Sequence, residues 1–182
     1  KIYKNVDKVK VELNILNSLI GSKNIENDFY EKTAVEVGIS RYISSLIKTS
    51  EPQVIILSGQ AGDGKTSIMY QVINQLDSNY KISTNKNIFE INVDGKSCTF
   101  IKDFSELPNS EKVEQLKDIL SYPTQNKFAF IVANTGPLIN TFGLLFSEEK
   151  REKAKMELIE SIKNSNGKQR KICDYSIAVI NM

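Results

Sequence analysis

Histidine and tryptophan are absent from the 182 residues, and cysteine occurs only twice. Without histidine, the chain has no imidazole that could act as a base near neutral pH or bind a metal ion. Cys98 and Cys173 lie far apart and neither belongs to a CxxC pair. This pattern favours two buried thiols in a reducing compartment over a disulfide or a redox site, so we expect a cytoplasmic protein.

The chain also lacks a large excess of charge and a long apolar run. Its net charge of +2 is too small to indicate nucleic acid or an anionic membrane as a partner, although it leaves room for a local basic patch. No apolar run approaches the roughly 20 residues of a membrane helix, and charged residues interrupt the N-terminus, which excludes a signal peptide. We expect no membrane partner. Because the chain opens with Lys1 and stops just after a strand-like run, we also expect a piece of a longer protein.

The first 50 residues have the periodicity of amphipathic helices. One apolar stripe recurs at spacings of three and four: Val6, Val9, Leu13, Leu16 and Ile20. A second helical pattern runs from Ile25 to Lys48, with Gly38 weakening its middle. We predict that residues 1–50 form a helical segment packed on a core domain of residues 51–182.

The rest of the chain alternates strand and helix patterns. The strand patterns are residues 54–57, the two arms of a hairpin around Asp94-Gly95 within 88–103, residues 127–133 and residues 176–181. The helix patterns are one after Lys65, one with Ser110 as its N-cap, one over 138–146 after Pro137, and one from Ser147 to near Gly167. Such alternation predicts an α/β fold with a mostly parallel sheet between helices.

A glycine-rich loop follows the first strand pattern and matches G-x-x-x-x-G-K-[ST] at every fixed position. In such loops the backbone N–H groups converge on phosphates, the lysine reaches the β- and γ-phosphates, and the hydroxyl binds Mg²⁺. We therefore predict a site for ATP and Mg²⁺. Its candidate residues are Gly59, Gln60, Ala61, Gly62, Asp63, Gly64, Lys65, Thr66 and Ser67.

Three polar residues after later strands are candidates to complete this site. Asp103 follows the hairpin and would hold Mg²⁺ together with Thr66, unless it merely caps the next helix. Glu106 would orient or deprotonate an attacking water, although an acid near a helix start often serves capping alone. Asn134, at the tip of the 127–133 strand, would contact the γ-phosphate, unless Asn-Thr-Gly only forms a turn. With Lys65, these three are the candidate catalytic residues.

Asp63 is an unexpected acid inside a loop that is predicted to bind phosphate. One alternative is that its carboxylate points outward and bonds to local backbone. The other is that it faces a neighbouring subunit or the attacking water.

The order of phosphate loop, metal acid and polar strand tip resembles the AAA+ and STAND group of P-loop ATPases. The runs "SGQAGDGKT", "IKDFSEL" and "VANTGPL" are similar to the DptF group, which are ATPases of phosphorothioation-dependent DNA restriction, and to related anti-phage ATPases. The resemblance implies a P-loop NTPase three-layer sandwich with a helical N-terminal segment. It also implies an ATP-hydrolysing motor or switch of a DNA-restriction defence system, with DNA, further subunits or copies of itself as partners.

Some features depart from that pattern and leave other functions open. The spacing from Lys65 to Asp103 is short, a hairpin replaces the usual helix, no lid domain is evident, and only Arg151 and Arg170 are candidate arginine fingers. A small-molecule kinase and a module that binds ATP without hydrolysis are the alternatives. A GTPase is disfavoured because no N-K-x-D motif occurs. The lysines are spread evenly, so the sequence shows no DNA-binding stripe.

Overall fold

The computed structural model describes residues 38–49, 51, 53–83, 85–165 and 167–182. The predicted helix over residues 1–20 and the first part of the one from Ile25 to Lys48 lie outside the described residues. The described helices are α1 (Gly38–Thr49), α2 (Lys65–Leu76), α3 (Asn109–Leu120), α4 (Thr135–Gly143) and α5 (Glu148–Lys163). The strands are β1 (Val54–Gly59), β2 (Ile88–Val93), β3 (Lys96–Ile101), β4 (Lys127–Asn134), β5 (Gln169–Ile172) and β6 (Tyr175–Asn181).

The six strands form one mixed sheet in the order β2-β3-β4-β1-β6-β5. The four inner strands are parallel, whereas β2 and β5 at the two edges are antiparallel to their neighbours. The predicted α/β class is confirmed, and the sheet is more mixed than expected. The reason is that each edge is built by a hairpin, and a hairpin joins antiparallel strands.

The β2–β3 hairpin turns at Asp94-Gly95, as predicted. Both residues have positive φ, 52° and 80°, which a two-residue hairpin turn requires and which Asp and Gly tolerate. The β5–β6 hairpin turns at Cys173-Asp174, and β5 was not predicted. Three of its four residues are exposed and polar, so β5 carries neither an apolar run nor the usual turn signal.

Helices cover both faces of the sheet, so the chain folds into three layers. All six residues of β1 are buried, as expected for a strand covered on both sides. Alternate side chains of β1 enter different cores because successive residues of a strand point to opposite faces. Ile55 and Leu57 pack with α1 and α2, whereas Val54 and Ile56 pack with α3, α4 and α5.

Three predicted helix limits were wrong. Ser110 is not an N-cap, because α3 begins at Asn109 after Pro108, whose carbonyl accepts the N–H groups of Glu111 and Lys112. Helix α4 ends at Gly143 and not at Phe146, since a tight turn follows it. Helix α5 ends at Lys163, and Gly167 instead donates its N–H to the carbonyl of Val179 beside β6. None of the described helices is both long and apolar enough to cross a membrane.

The two cysteines are free thiols, but only Cys98 is fully buried. Burial raises the pKa of Cys98 to about 11. Cys173 is half-buried at the β5–β6 turn, where burial and the neighbouring Glu157 carboxylate raise its pKa to about 11. Both thiols are therefore protonated and poorly reactive near neutral pH.

Gly167 allows α1 to pack beside the start of β5. Its φ is +69°, and the hydroxyl of Tyr42 on α1 donates to its carbonyl at 3.1 Å. A Cβ on residue 167 would overlap the ring of Tyr42.

We expect Gly167→Ala to lower the free energy of unfolding by roughly 1–3 kcal/mol, because the variant combines backbone strain with a steric overlap. Urea unfolding of the full-length protein measures this change in the free energy of unfolding.

The matched control is Gly136→Ala. Gly136 lies in α4, and a Cβ there would meet nothing within 4 Å. Alanine should leave stability unchanged or raise it by up to about 1 kcal/mol. Equal effects of the two variants would contradict the proposed packing of Tyr42 against Gly167.

Candidate functional site

The predicted site residues follow the carboxyl ends of neighbouring parallel strands. The glycine-rich loop follows β1, Asp103 follows β3, and Asn134 ends β4. In the β1–β4 register, Asn134 lies directly opposite Gly59. Ligands of open α/β sheets bind at this edge, so this edge of the sheet is the candidate site.

The loop between β1 and α2 has a backbone path that depends on its glycines. Gly62 has a φ of +86° and Gly64 a φ of +79°, values that other residues rarely adopt. Gly64 is the N-cap of α2, and the first turn of α2 contains no acidic residue. The first N–H groups of α2, which have no partner within the helix, therefore point toward the loop in a region of positive potential.

Asp63 closes the loop on itself. Its carboxylate oxygen Oδ2 accepts the N–H of Gln60 at 2.7 Å, and its own N–H donates to the carbonyl of Gln60 at 3.3 Å. The expectation that Asp63 bonds to local backbone is confirmed. A Cβ at position 59 would lie 2.7 Å from Oδ2 of Asp63, so this closure also requires Gly59.

Lys65 is a buried cation at the mouth of the loop. Only 7% of Lys65 is exposed, and its ammonium group donates to the carbonyl of Gln60. Ser67 is also buried, whereas Thr66 is half-buried. The same Gln60 peptide group therefore positions both the acid and the lysine of the loop.

Asp103 caps a short 3-10 turn over residues 104–106. Its Oδ1 accepts the N–H of Ser105 at 2.7 Å. The side chain of Asn87 accepts the N–H of Asp103 and donates to its carbonyl, both at 2.8 Å. No motif in the sequence points to Asn87. It lies just before β2, where an asparagine is ordinary in a turn.

Asn134 joins the Asp103 turn to the glycine-rich loop. Its amide Nδ2 donates to the hydroxyl of Ser105 at 3.2 Å. The next residue, Thr135, donates its hydroxyl to the carbonyl of Gly59 at 3.4 Å. Asp103, Asn134 and the start of the loop are therefore brought together by a continuous set of polar contacts.

Glu106 is exposed at the end of the 3-10 turn. Burial raises the pKa of Tyr70 on α2, and the negative charge of Glu106 raises it further. Glu106 is therefore near enough to α2 to act on Tyr70 electrostatically.

The donor set limits how a metal ion would be held. The part of the chain that the structure describes contains no group of three or more acidic or cysteine side chains able to hold a metal ion. The candidates Thr66 and Asp103 offer a hydroxyl and a carboxylate. Two side chains are too few to complete the coordination of a metal ion with protein ligands alone. They fit Mg²⁺, which commonly binds one or two protein oxygens together with water and ligand phosphates.

Two comparisons relate this chain to known proteins. A profile of the DpnII restriction endonuclease family matches residues 1–126. The type II restriction enzyme DpnII of Streptococcus pneumoniae is 68% identical over 31 residues, which make up 17% of this chain. The aligned part spans only 11% of that enzyme. The profile match ends before β4, so β4, β5, β6, α4 and α5 lie outside it.

The family match overturns the expected ATPase. The chain is not an AAA+ or STAND ATPase of the DptF kind, and the predicted ATP-driven motor or switch was wrong. The alternatives of a small-molecule kinase and of an ATP-binding module are likewise unsupported, since both matches are to restriction enzymes. The expected link to DNA restriction agrees with the match. The signature that misled the prediction is a short loop motif, whereas the profile spans 126 residues.

Asn87 offers a test of how the site is held together. We expect Asn87→Ala to lower the free energy of unfolding by about 1–2 kcal/mol, because the N–H and the carbonyl of Asp103 both lose a partner. Asn87→Asp should cost less, because its carboxylate still accepts the Asp103 N–H. Urea unfolding of the full-length variants measures both. Equal stability of Asn87→Ala and the parent would contradict this role.

Proposed function

Because the chain belongs to the DpnII restriction endonuclease family, we propose that it is part of a Mg²⁺-dependent endonuclease that acts on DNA. The profile match over residues 1–126, more than two thirds of the chain, carries this proposal. Nuclease sites commonly use divalent metal ions to stabilise the attacking and leaving oxygens. The free thiols of Cys98 and Cys173 support a reducing compartment such as the cytoplasm.

We further propose that the carboxyl edge of the sheet binds a phosphate group together with Mg²⁺. Three features support this: the two glycines of positive φ, the buried ammonium of Lys65, and the helix N-terminus that follows the loop. Together they form an anion site of the kind that glycine-rich loops and helix N-termini provide. The three-layer fold would then be a sandwich of the P-loop kind. The phosphate comes either from the DNA backbone or from a small free ligand, and the two sources can be distinguished by experiment.

The roles of the individual residues follow from their chemistry. Lys65 and the loop N–H groups would bind the phosphate oxygens, and Thr66 and Asp103 would hold Mg²⁺. The metal ion, when bound, would neutralise charge on the phosphate. Asn134, whose amide reaches Ser105, would keep the Asp103 turn at a fixed distance from the loop. Glu106, the exposed carboxylate of this edge, is the candidate to accept a proton from an attacking water.

The endonuclease proposal is tested with the full-length natural protein and unmodified plasmid DNA. We expect cleavage with Mg²⁺ and none when EDTA removes the metal ion, as read by gel electrophoresis. Intact plasmid after incubation with Mg²⁺ and excess enzyme would overturn the proposal. If Glu106 is the base, Glu106→Gln should slow cleavage at least about 100-fold, which is the low end for loss of general base catalysis.

The phosphate site is tested separately by calorimetric titration of the full-length protein with Mg²⁺-pyrophosphate and, in a second arm, with duplex DNA. Lys65→Ala should weaken binding of the relevant probe by roughly 10- to 100-fold, because a charge-assisted hydrogen bond is lost. If Lys65→Ala weakens only the binding of pyrophosphate, the bound phosphate comes from a small free ligand. If it weakens only the binding of duplex DNA, the phosphate comes from the DNA backbone.

Lys81→Ala is the matched control. Lys81 is exposed, and its removal changes the net charge by the same amount. It should bind both probes like the parent. If Lys65→Ala and Lys81→Ala have the same affinity for each probe, Lys65 does not bind phosphate and the site assignment fails.

A further inference from the structure

The two edges of the sheet differ in the charges they carry. The segment from the end of α5 through β5 contains four cationic residues, Lys163, Lys168, Arg170 and Lys171, and the acids Glu157, Glu160 and Asp174 adjoin it. All four cationic residues are exposed. The four lie within nine consecutive residues, a local cluster that departs from the even spread of lysine expected from the sequence.

The opposite edge is acidic. A cleft of about 540 Å³ lies between the outer face of β2 and β3 and helix α3. Its described lining includes four carboxylates, Glu90, Glu111, Glu114 and Asp118, and no basic side chain. Burial raises the pKa of Tyr122 in this cleft, and the charge of Asp118 raises it further. A polyanion would be repelled from this edge and attracted to the one formed by β5.

Contacts at β5 hold the basic residues together. Arg170 donates through Nη2 to the carbonyl of Asn164 at 3.3 Å, which joins the middle of β5 to the residue that follows α5. That bond uses one of the five N–H donors of the guanidinium group, and the others can reach a phosphate. Lys163 is the last residue of α5 and therefore lies close to Asn164.

The segment before β5, but not β5 itself, lies at the carboxyl edge of the sheet, because Ser165 accepts the N–H of Asn181. Gln169 pairs with Ala178, so β5 begins opposite the middle of β6 and runs back toward its amino end. Met182, just after β6, donates its N–H to Ser58 of β1. Strand β5 lies two strands from β1, about 10 Å at the usual spacing, but Arg170 pairs with Ile177, which is opposite Val54. Arg170 therefore also lies about 17 Å along the strands from Gly59.

We propose that the β5 edge, formed by Lys163, Lys168, Arg170 and Lys171, binds the phosphate backbone of duplex DNA. The proposal rests on the endonuclease function proposed above, from which DNA is the expected polyanion. It goes beyond the family match, because all four residues lie after residue 126. Contacts to the backbone position DNA without reading its sequence, so this surface should bind all duplexes alike.

The test measures the affinity of the full-length protein for an arbitrary duplex at several salt concentrations, by fluorescence anisotropy without Mg²⁺ so that no cleavage occurs. Arg170→Gln/Lys171→Gln should raise the Kd by roughly tenfold at moderate salt. The slope of log K against log salt should become shallower by about 1.8, because each lost phosphate contact removes about 0.9.

The control variant is Lys81→Gln/Lys117→Gln, which removes the same charge from exposed positions outside α5 and β5. This variant should keep the parent salt slope. Equal slopes for the two double variants would show that only net charge matters and would overturn the proposal.

Two further outcomes are distinguished by the same experiment. If the parent cleaves DNA but Arg170→Gln/Lys171→Gln keeps the parent affinity, the surface is refuted and the endonuclease proposal stands. If the parent binds vesicles of phosphatidylglycerol but no duplex, the surface recognises a membrane and the proposal fails. A parent that neither binds nor cleaves DNA refutes the endonuclease function itself.

Discussion

The position of β1 between β4 and β6 is the constraint on which the rest of the structure depends. Its six residues are buried, and both neighbours run parallel to it. This pairing fixes which strand ends meet at one edge, and so brings Asn134 opposite Gly59 and Met182 beside Ser58. Both neighbours lie outside the family match, so the part of the chain that resembles restriction endonucleases completes its sheet with strands from beyond residue 126.

Acidic residues at the candidate site are used to shape backbone. Asp63 accepts the N–H of Gln60, and Asp103 accepts the N–H of Ser105. The acid in the glycine-rich loop is tolerated because its carboxylate accepts a hydrogen bond from a nearby peptide N–H group. The consequence is that residue type alone misleads in this region, since a carboxylate that looks like a ligand or an obstacle can be a structural cap.

The elements that follow a strong local rule were predictable from the sequence. Buried strands such as β1 show continuous apolar runs, and Asp94-Gly95 marks a turn that few other dipeptides can form. The elements set by long-range contacts were not predictable. Strand β5 is stabilised by its pairing with β6, which lies later in the chain. Asn87 can bond to Asp103 only when the hairpin of β2 and β3 places the two residues side by side. The function was not predictable for a related reason, because a motif of eight residues reflects only a local pattern, whereas the family profile extends over 126 residues.

The exposed cations of β5 have a consequence for solubility that is independent of any ligand. An edge strand presents unpaired N–H and carbonyl groups, onto which a second molecule can add its own strand. Two β5 strands that met in this way would bring Arg170 and Lys171 of each copy against like charges. The charges of β5 therefore disfavour edge-to-edge aggregation. Replacing them with apolar residues would favour the pairing of β5 strands from different molecules.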